Sequence, residues 1–197
     1  PVPVNDAPET EILLRDLQWR EGDPAGALVS EFSFDPVESG QGLSRVEIGF
    51  DGLRDGRAER LDLGGVDISL GDPVEGSLPD GVGYSLSLEE PGSDLDAMLI
   101  LDGSGIDPEV LESTLETMAY RNDRLDPTPG VRGMEILSVT DSGGVANGGE
   151  DTSEPGSRST ITVSDIPETV TVVPRNGEFI ENGTPLDLFE SMTIDAG

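Results

Sequence analysis

Carboxylates are the only abundant chemical equipment in this chain. There are 41 Asp and Glu against 11 Lys and Arg, with no His and no Cys. Ser–His and Cys–His nucleophile pairs are therefore excluded, as are zinc and iron–sulfur sites built from those ligands. Carboxylate oxygens suit two tasks: holding a hard cation such as Ca²⁺, or working as an acid–base pair on a glycosidic bond. The second task needs two acids at a defined gap across a cleft, and no pair stands out here. Rings for sugar stacking are scarce, being Trp19, Tyr84, Tyr120 and five Phe. The reading is non-catalytic. Acids gathered for Ca²⁺ would also relieve part of a net charge of −30 that otherwise opposes a compact state.

The spacing nominates particular ligands. Val4-Asn5-Asp6-Ala7-Pro8 sets an Asn–Asp pair on a segment stiffened by proline, and Ser164-Asp165-Ile166-Pro167 nearly copies it. Glu21 precedes the turn Gly22-Asp23-Pro24, as Glu181 precedes Asn182-Gly183. Asp35 closes an alternating segment. Asp51, with Asp55, falls in a Gly-rich stretch read as a turn. Asn122 and Asp123 follow the segment at Tyr120, and Asp141 ends Val139-Thr140 before Ser142-Gly143-Gly144. The plain alternative at each position is a solvated loop acid. Sharper motifs fail. Asp102 to Asp107 lacks the glycine at the sixth position of an EF-hand loop, and Gly148-Gly149-Glu150-Asp151 is no nonapeptide calcium repeat.

The elements that must position these groups read as short strands. Val46, Ile48 and Phe50 alternate within 43–50, and Val82, Tyr84, Leu86 and Leu88 within 82–88. Gly64-Gly65 separates 60–63 from 66–70 as a tight hairpin turn. Further strands are expected at 11–14, 27–34, 97–101, 133–140, 160–163 and 169–173. One helix is expected after Asp107, a capping residue, with Pro108 in its first turn. Its apolar stripe is Val110, Leu111, Thr114, Leu115 and Met118. Many short strands split by Gly and Pro, with one crossover helix, predict an all-β Greek-key sandwich. No run approaches a membrane span, and too few bases cluster to grip nucleic acid.

The opening also recurs. Glu21 to Asp35 matches Glu181 to Asp195 at an offset of 160, and Asp6-Ala7-Pro8-Glu9 matches Asp165-Ile166-Pro167-Glu168 at 159. A restarted opening is the mark of a repeat array. It predicts a linker over 1–10, one sandwich repeat over 11–164, a second linker over 165–178 and the truncated start of another repeat over 179–197.

The stretches VNDAPE, EGDPAGALVSEFSFDPVES, LSRVEIGF, GIDPEVLESTLETMAYRND and DPTPGVRGMEILSVTDSGG resemble cadherin-like tandem repeats of large RTX-type bacterial surface adhesins. The resemblance implies a cadherin/immunoglobulin-like sandwich, an extracellular location on the bacterial surface, and Ca²⁺ that stiffens successive repeats. It implies metal-ligand roles for Asn5, Asp6 and Asp165 at the junctions, for Glu21 and Glu181 near the start of each repeat, and for Asp141 late in the first. Asp35, Asp51, Asn122 and Asp123 complete the candidate set. The expected partners are adjacent repeats of the same chain, with surface glycans or proteins as further ligands. The implied role is an extender or presenting module in adhesion or biofilm cohesion. A glycan- or protein-binding module using loops near 55–81 and 141–156, and a subunit of a surface layer or filament, are the alternatives.

Overall fold

The computed structural model describes residues 4–89, 95–166, 169–174 and 189–195. The chain divides into two compact units, Pro1–Ser164 and Asp165–Gly197. In chain order the first unit holds β1 (Glu9–Leu14), β2 (Leu17–Arg20), β3 (Gly26–Ala27), β4 (Val29–Asp35), β5 (Leu43–Leu53), β6 (Glu59–Leu63), β7 (Val66–Ser69) and β8 (Val74–Ser77). It continues with β9 (Gly83–Glu89), β10 (Leu95–Ile106), α1 (Pro108–Glu116), β11 (Ala119–Asn122), β12 (Gly130–Asp141), β13 (Thr152–Ser153) and β14 (Ser157–Ser164). The second unit holds β15 (Thr169–Pro174) and β16 (Phe189–Asp195).

An eight-stranded sheet runs β2-β14-β12-β5-β10-β9-β8, with β13 paired to β12 off that path. A four-stranded sheet runs β3-β11-β6-β7, and β1 pairs with β4 alone. The fold is thus mostly β, with one helix among several sheets. The chain switches partners twice near its start. β1 pairs antiparallel with β4, and only two residues later β2 pairs parallel with β14. The segment expected as one strand over 27–34 is also split. Gly26–Ala27 pairs with β11, and the chain then leaves for β1. Helix α1 covers β4 where β11 is too short to reach: Glu112 Oε1 accepts the Phe34 N–H at 3.1 Å.

Local chemistry explains the elements that were legible. Gly64 (φ +55°) and Gly65 (φ +82°) supply the two left-handed residues that a two-residue hairpin requires between β6 and β7. The Asp107 carboxylate accepts the Glu109 N–H at 3.0 Å, and Pro108 needs no donor at the first helical position. Leu111, Thr114 and Leu115 face inward, and Met118 is buried just past the helix. Asp51 corrects the expectation of a turn. It lies inside β5, which runs on to Leu53 while accommodating Gly52 at φ +69°.

One core joins these layers. The eight-stranded sheet contributes Val46, Ile48, Phe50, Leu99, Met134 and Ile136, while the four-stranded sheet contributes Leu61, Leu63 and Ile68. Each such burial is worth about 1.5–3 kcal/mol relative to exposure. Trp19 is 2% exposed, with its ring edge-on to Tyr120 at 6.3 Å.

A polar clamp sits within this core. Arg132 on β12 and Glu59 on β6 are both 0% exposed, and their ion pair spans the two larger sheets at 2.7 Å. Glu59 Oε1 also accepts the Tyr120 hydroxyl at 2.9 Å, and Oε2 accepts the Arg54 and Asp55 N–H groups at 3.0 and 3.2 Å. Arg132 reaches Asp55 at 3.2 Å and the Gly130 carbonyl at 3.1 Å. Burial, and then the Glu59 charge, push the Tyr120 phenol well above its ordinary range, so it stays a donor.

In the second unit β15 and β16 pair antiparallel with each other. Their register repeats that of β1 and β4 residue for residue at an offset of 160. Glu9↔Asp35 becomes Thr169↔Asp195, Ile12↔Phe32 becomes Val172↔Met192, and the irregularity at Leu13/Leu14 recurs at Val173/Pro174.

Breaking the clamp from one side leaves charge buried without its partner. Arg132→Met is expected to cost about 3–5 kcal/mol in urea unfolding. Pairing it with Glu59→Leu should recover part of that loss, giving a coupling energy that a double-mutant cycle reads directly.

Candidate functional site

The expected ligands fall at opposite ends of the first unit. β1 and β5 begin, and β4 and β12 finish, at the end that holds Asn5; β2, β5 and β14 finish at the other, where the unit ends at Ser164. We refer to these as the N-terminal and C-terminal poles.

At the N-terminal pole Asn5 is 9% exposed and organises its surroundings. Its amide donates to Asp141 Oδ1 at 3.1 Å and to the Glu150 carbonyl at 2.7 Å. Its Oδ1 accepts from Gln41 Nε2 at 2.7 Å, and its backbone carbonyl accepts the Glu150 N–H at 2.9 Å. Asp141 is itself 2% exposed, and its Oδ1 takes the Gly143 N–H at 2.7 Å. Glycine is required at 143, because a Cβ there would collide with the Asn5 side chain. Asp6 contributes through its backbone, donating N–H to Glu38 Oε1 at 3.1 Å while its own carboxylate is exposed.

Two acceptors at this pole have no donor among the described residues. Glu38 Oε2 and Gln41 Oε1 are both shielded from solvent without a hydrogen-bond partner. Both residues line one small cavity of about 140 Å³ with Val4, Asn5, Gly143, Gly144 and Ala146. Among the described residues Asp141 Oδ2 is held only by a long 3.4 Å contact to Asn5. Sequence reasoning passed over Glu38 and Gln41, which sit in a Ser- and Gly-rich loop with no ligand spacing. Their signal lies in the fold, which returns that loop to Asn5.

The other expected ligands stand apart. Asp35 ends β4 opposite Glu9, and its Oδ1 accepts the Val37 N–H at 2.9 Å, closing a turn with Val37 at φ +67°. Asp51 pairs with Arg158 at 2.6 Å on the outward face of the eight-stranded sheet. Glu21 follows β2, with its N–H on the Ser164 carbonyl at 2.9 Å. Asp165 follows β14 in the second unit. Glu181 lies outside the described residues.

The C-terminal pole is supplied with protein cations. Asn122 gives its amide to Asp55 Oδ2 at 2.7 Å, and Asp55 also meets Arg132, Arg124 and the Thr128 N–H. Asp123 pairs with Arg121 at 2.9 Å, and Arg121 continues to Asp62 and Asp67. Asn122 and Asp123 therefore belong to arginine networks. Burial raises the Asp55 carboxyl, but the Thr128 and Asn122 hydrogen bonds and the Arg132 charge outweigh it and hold it below the ordinary 3.8. The bond from Arg60 likewise lowers Asp67, and Thr160 lowers Asp16.

The stretch near 55–81 is no single long loop, since a 3₁₀ turn at Gly56–Ala58 and strands β6, β7 and β8 together occupy most of it. The 141–156 segment holds a single 3₁₀ turn at Ala146–Gly148 and the short β13. Among the described residues no helix is long and apolar enough to cross a membrane, and no three Asp or Glu converge on a space fit for a metal. Comparison with protein-family models, with curated proteins and with solved structures finds no match to this chain.

Two outcomes follow from these contacts. Asn5→Ala strands the buried Asp141 carboxylate and the Glu150 carbonyl, with an expected loss of about 1–3 kcal/mol in chemical denaturation. Asp55, Asp67 and Asp16 have folded-state values below their unfolded value of 3.8, so their contribution is complete above it and lost as pH falls through the folded values. Urea midpoints across a pH series should hold level from these groups above about pH 5 and drop below about pH 4.

Proposed function

We propose that the first unit is a Ca²⁺-tightened extender or presenting module of a secreted bacterial surface adhesin, joined to further units of the same design. The observation that carries this reading is the antiparallel register shared by β1–β4 and β15–β16, irregularity included, at a constant offset. A chain that rebuilds its opening pair of strands is organised as a tandem array. The connectivity is in keeping with a Greek-key sandwich of cadherin or immunoglobulin type. Its opening strand divides between the sheets, β1 antiparallel to β4 and β2 parallel to β14. The first unit also starts and finishes at opposite poles, as a spacer must.

The cation belongs at the N-terminal pole in this reading. Glu38 Oε2 and Gln41 Oε1 supply unpartnered oxygens to one cavity, with the weakly held Asp141 Oδ2 behind Asn5. Oxygen donors of this mixed kind suit Ca²⁺ better than a transition metal. Bound there, the ion would tie the β4–β5 loop to the segment entering β1, resisting a pull that peels Asn5 from the domain. With so few carboxylates the affinity falls in the weak extracellular class, on the order of 10⁻⁴–10⁻³ M.

The test is thermal unfolding in millimolar Ca²⁺ and in excess chelator at matched ionic strength. Binding to the native state alone is expected to raise Tm by about 2–5 °C at ten times the dissociation constant. Glu38→Gln with Asp141→Asn should remove the increment. Superimposable curves for the parent protein in calcium and chelator would reject the role given to the ion.

A further inference from the structure

The eight-stranded sheet turns one face to the core and the other outward. On the outward face the registers set Glu135, Gly49, Met98 and Ser87 in one cross-strand row. The adjoining row carries Asp51 on β5 and, past the irregularity between Leu95 and Ala97, Asp96 opposite Glu89. Gly49 has no side chain, so the first row dips at its middle. The result is a trough of about 310 Å³, flanked by the half-buried Met98 and Leu137 and bordered by Asp51, Asp96 and Glu89.

The charge along the trough is unbalanced. Arg158 bridges Asp51 at 2.6 Å and Glu135 at 3.1 Å, and is the only cation among the described residues that meets these acids. Among the described residues Asp96 accepts the Gly52 N–H at 3.2 Å but meets no cation, and Glu89 makes no ion pair. An apolar floor thus leads to a carboxylate-lined end. A ligand that matches both needs an aliphatic stem and a compact positive head.

We propose that this trough docks a lysine side chain presented by a partner protein, its stem over Gly49 between Met98 and Leu137 and its ammonium among Asp51, Asp96 and Glu89. Lysine fits better than arginine. An ammonium is a point charge with three donors that carboxylates can share from several sides, whereas a guanidinium fork matches one carboxylate in its plane. A second copy of this chain is not the partner, because it contains no lysine. The trough lies on the sheet face and needs no Ca²⁺ at the N-terminal pole.

The experiment is an amide NMR titration of the full chain with Ac-Gly-Lys-Gly-amide, beside the norleucine and arginine analogues, in chelator and again in Ca²⁺. The expected result is saturable shifts confined to Gly49, Asp51, Ser87, Asp96 and Met98, with a dissociation constant on the order of 1 mM. Norleucine should give none, and arginine should bind at least threefold more weakly. Gly49→Val fills the trough with a good strand residue and should weaken binding at least tenfold with Tm unchanged or raised. Glu89→Gln, on the outward face, should weaken it severalfold without touching the core. Shifts spread over every acidic surface, or full binding by Gly49→Val, would show diffuse charge attraction and overturn the site. Arginine binding as tightly as lysine would overturn the choice of side chain.

Discussion

The Arg132–Glu59 pair is the contact on which the rest of the first unit depends. It joins β12 to β6, so it bridges the two larger sheets at a point closed to water. Desolvating two charges costs several kcal/mol per ion, and attraction alone rarely returns it. The offset here comes from complete hydrogen bonding. Glu59 accepts four donors, from Arg132, Tyr120, Arg54 and Asp55. Such a centre specifies more than it stabilises. Sheets brought together in another register would bury the same acid without its arginine, so only one arrangement is affordable.

The same economy governs the rest of the charge. All eleven basic residues are arginine. Each guanidinium presents five donors in a plane, so one base can serve several acids. Arg121 holds Asp62, Asp67 and Asp123, and Arg158 holds Asp51 and Glu135. These exposed links are individually weak. Their effect is to decide where negative charge is left over. At the C-terminal pole Asp55 is neutralised by Arg124 and Arg132. At the N-terminal pole the buried Asp141 carboxylate is met only by an amide and a backbone N–H. Asn5 thus serves a carboxylate without a protein cation and Asn122 one that has two, although both positions look alike in the sequence.

Elements defined by local chemistry were legible in the sequence. The Gly64-Gly65 hairpin and the capped helix after Asp107 rest on backbone requirements that few residues meet, and both stand where the residues put them. What depends on distant partners was not. β2 reads as Leu-Gln-Trp-Arg and carries no alternation over enough residues to declare a strand; its pairing with β14 makes it one. β8, an edge strand of Val74–Ser77 with three exposed residues, is silent for the same reason. Asp51 read as a turn because Gly52 follows it, yet β5 absorbs that glycine. Arg132 and Glu59 resemble any surface pair in the sequence, since nothing local reveals that both side chains are enclosed. At the candidate site the sequence supplied Asn5 and Asp141 but neither Glu38 nor Gln41.

The two offsets in the repeat also have a physical cause. Within the two strand pairs the offset is 160 at every position, although Ile12 becomes Val172, Phe32 becomes Met192 and Glu9 becomes Thr169. A strand's side chains alternate between faces, so an insertion of one residue would turn every apolar position outward. Residue identity can therefore drift while spacing cannot. Ahead of the strand that constraint lapses: Asp6 and Asp165 are 159 apart, so one extra residue lies between Asp165 and Thr169. The shift falls in the linker, where a change of length leaves the pairing untouched. Exact spacing inside the strands with slack before them is what a repeated β unit requires.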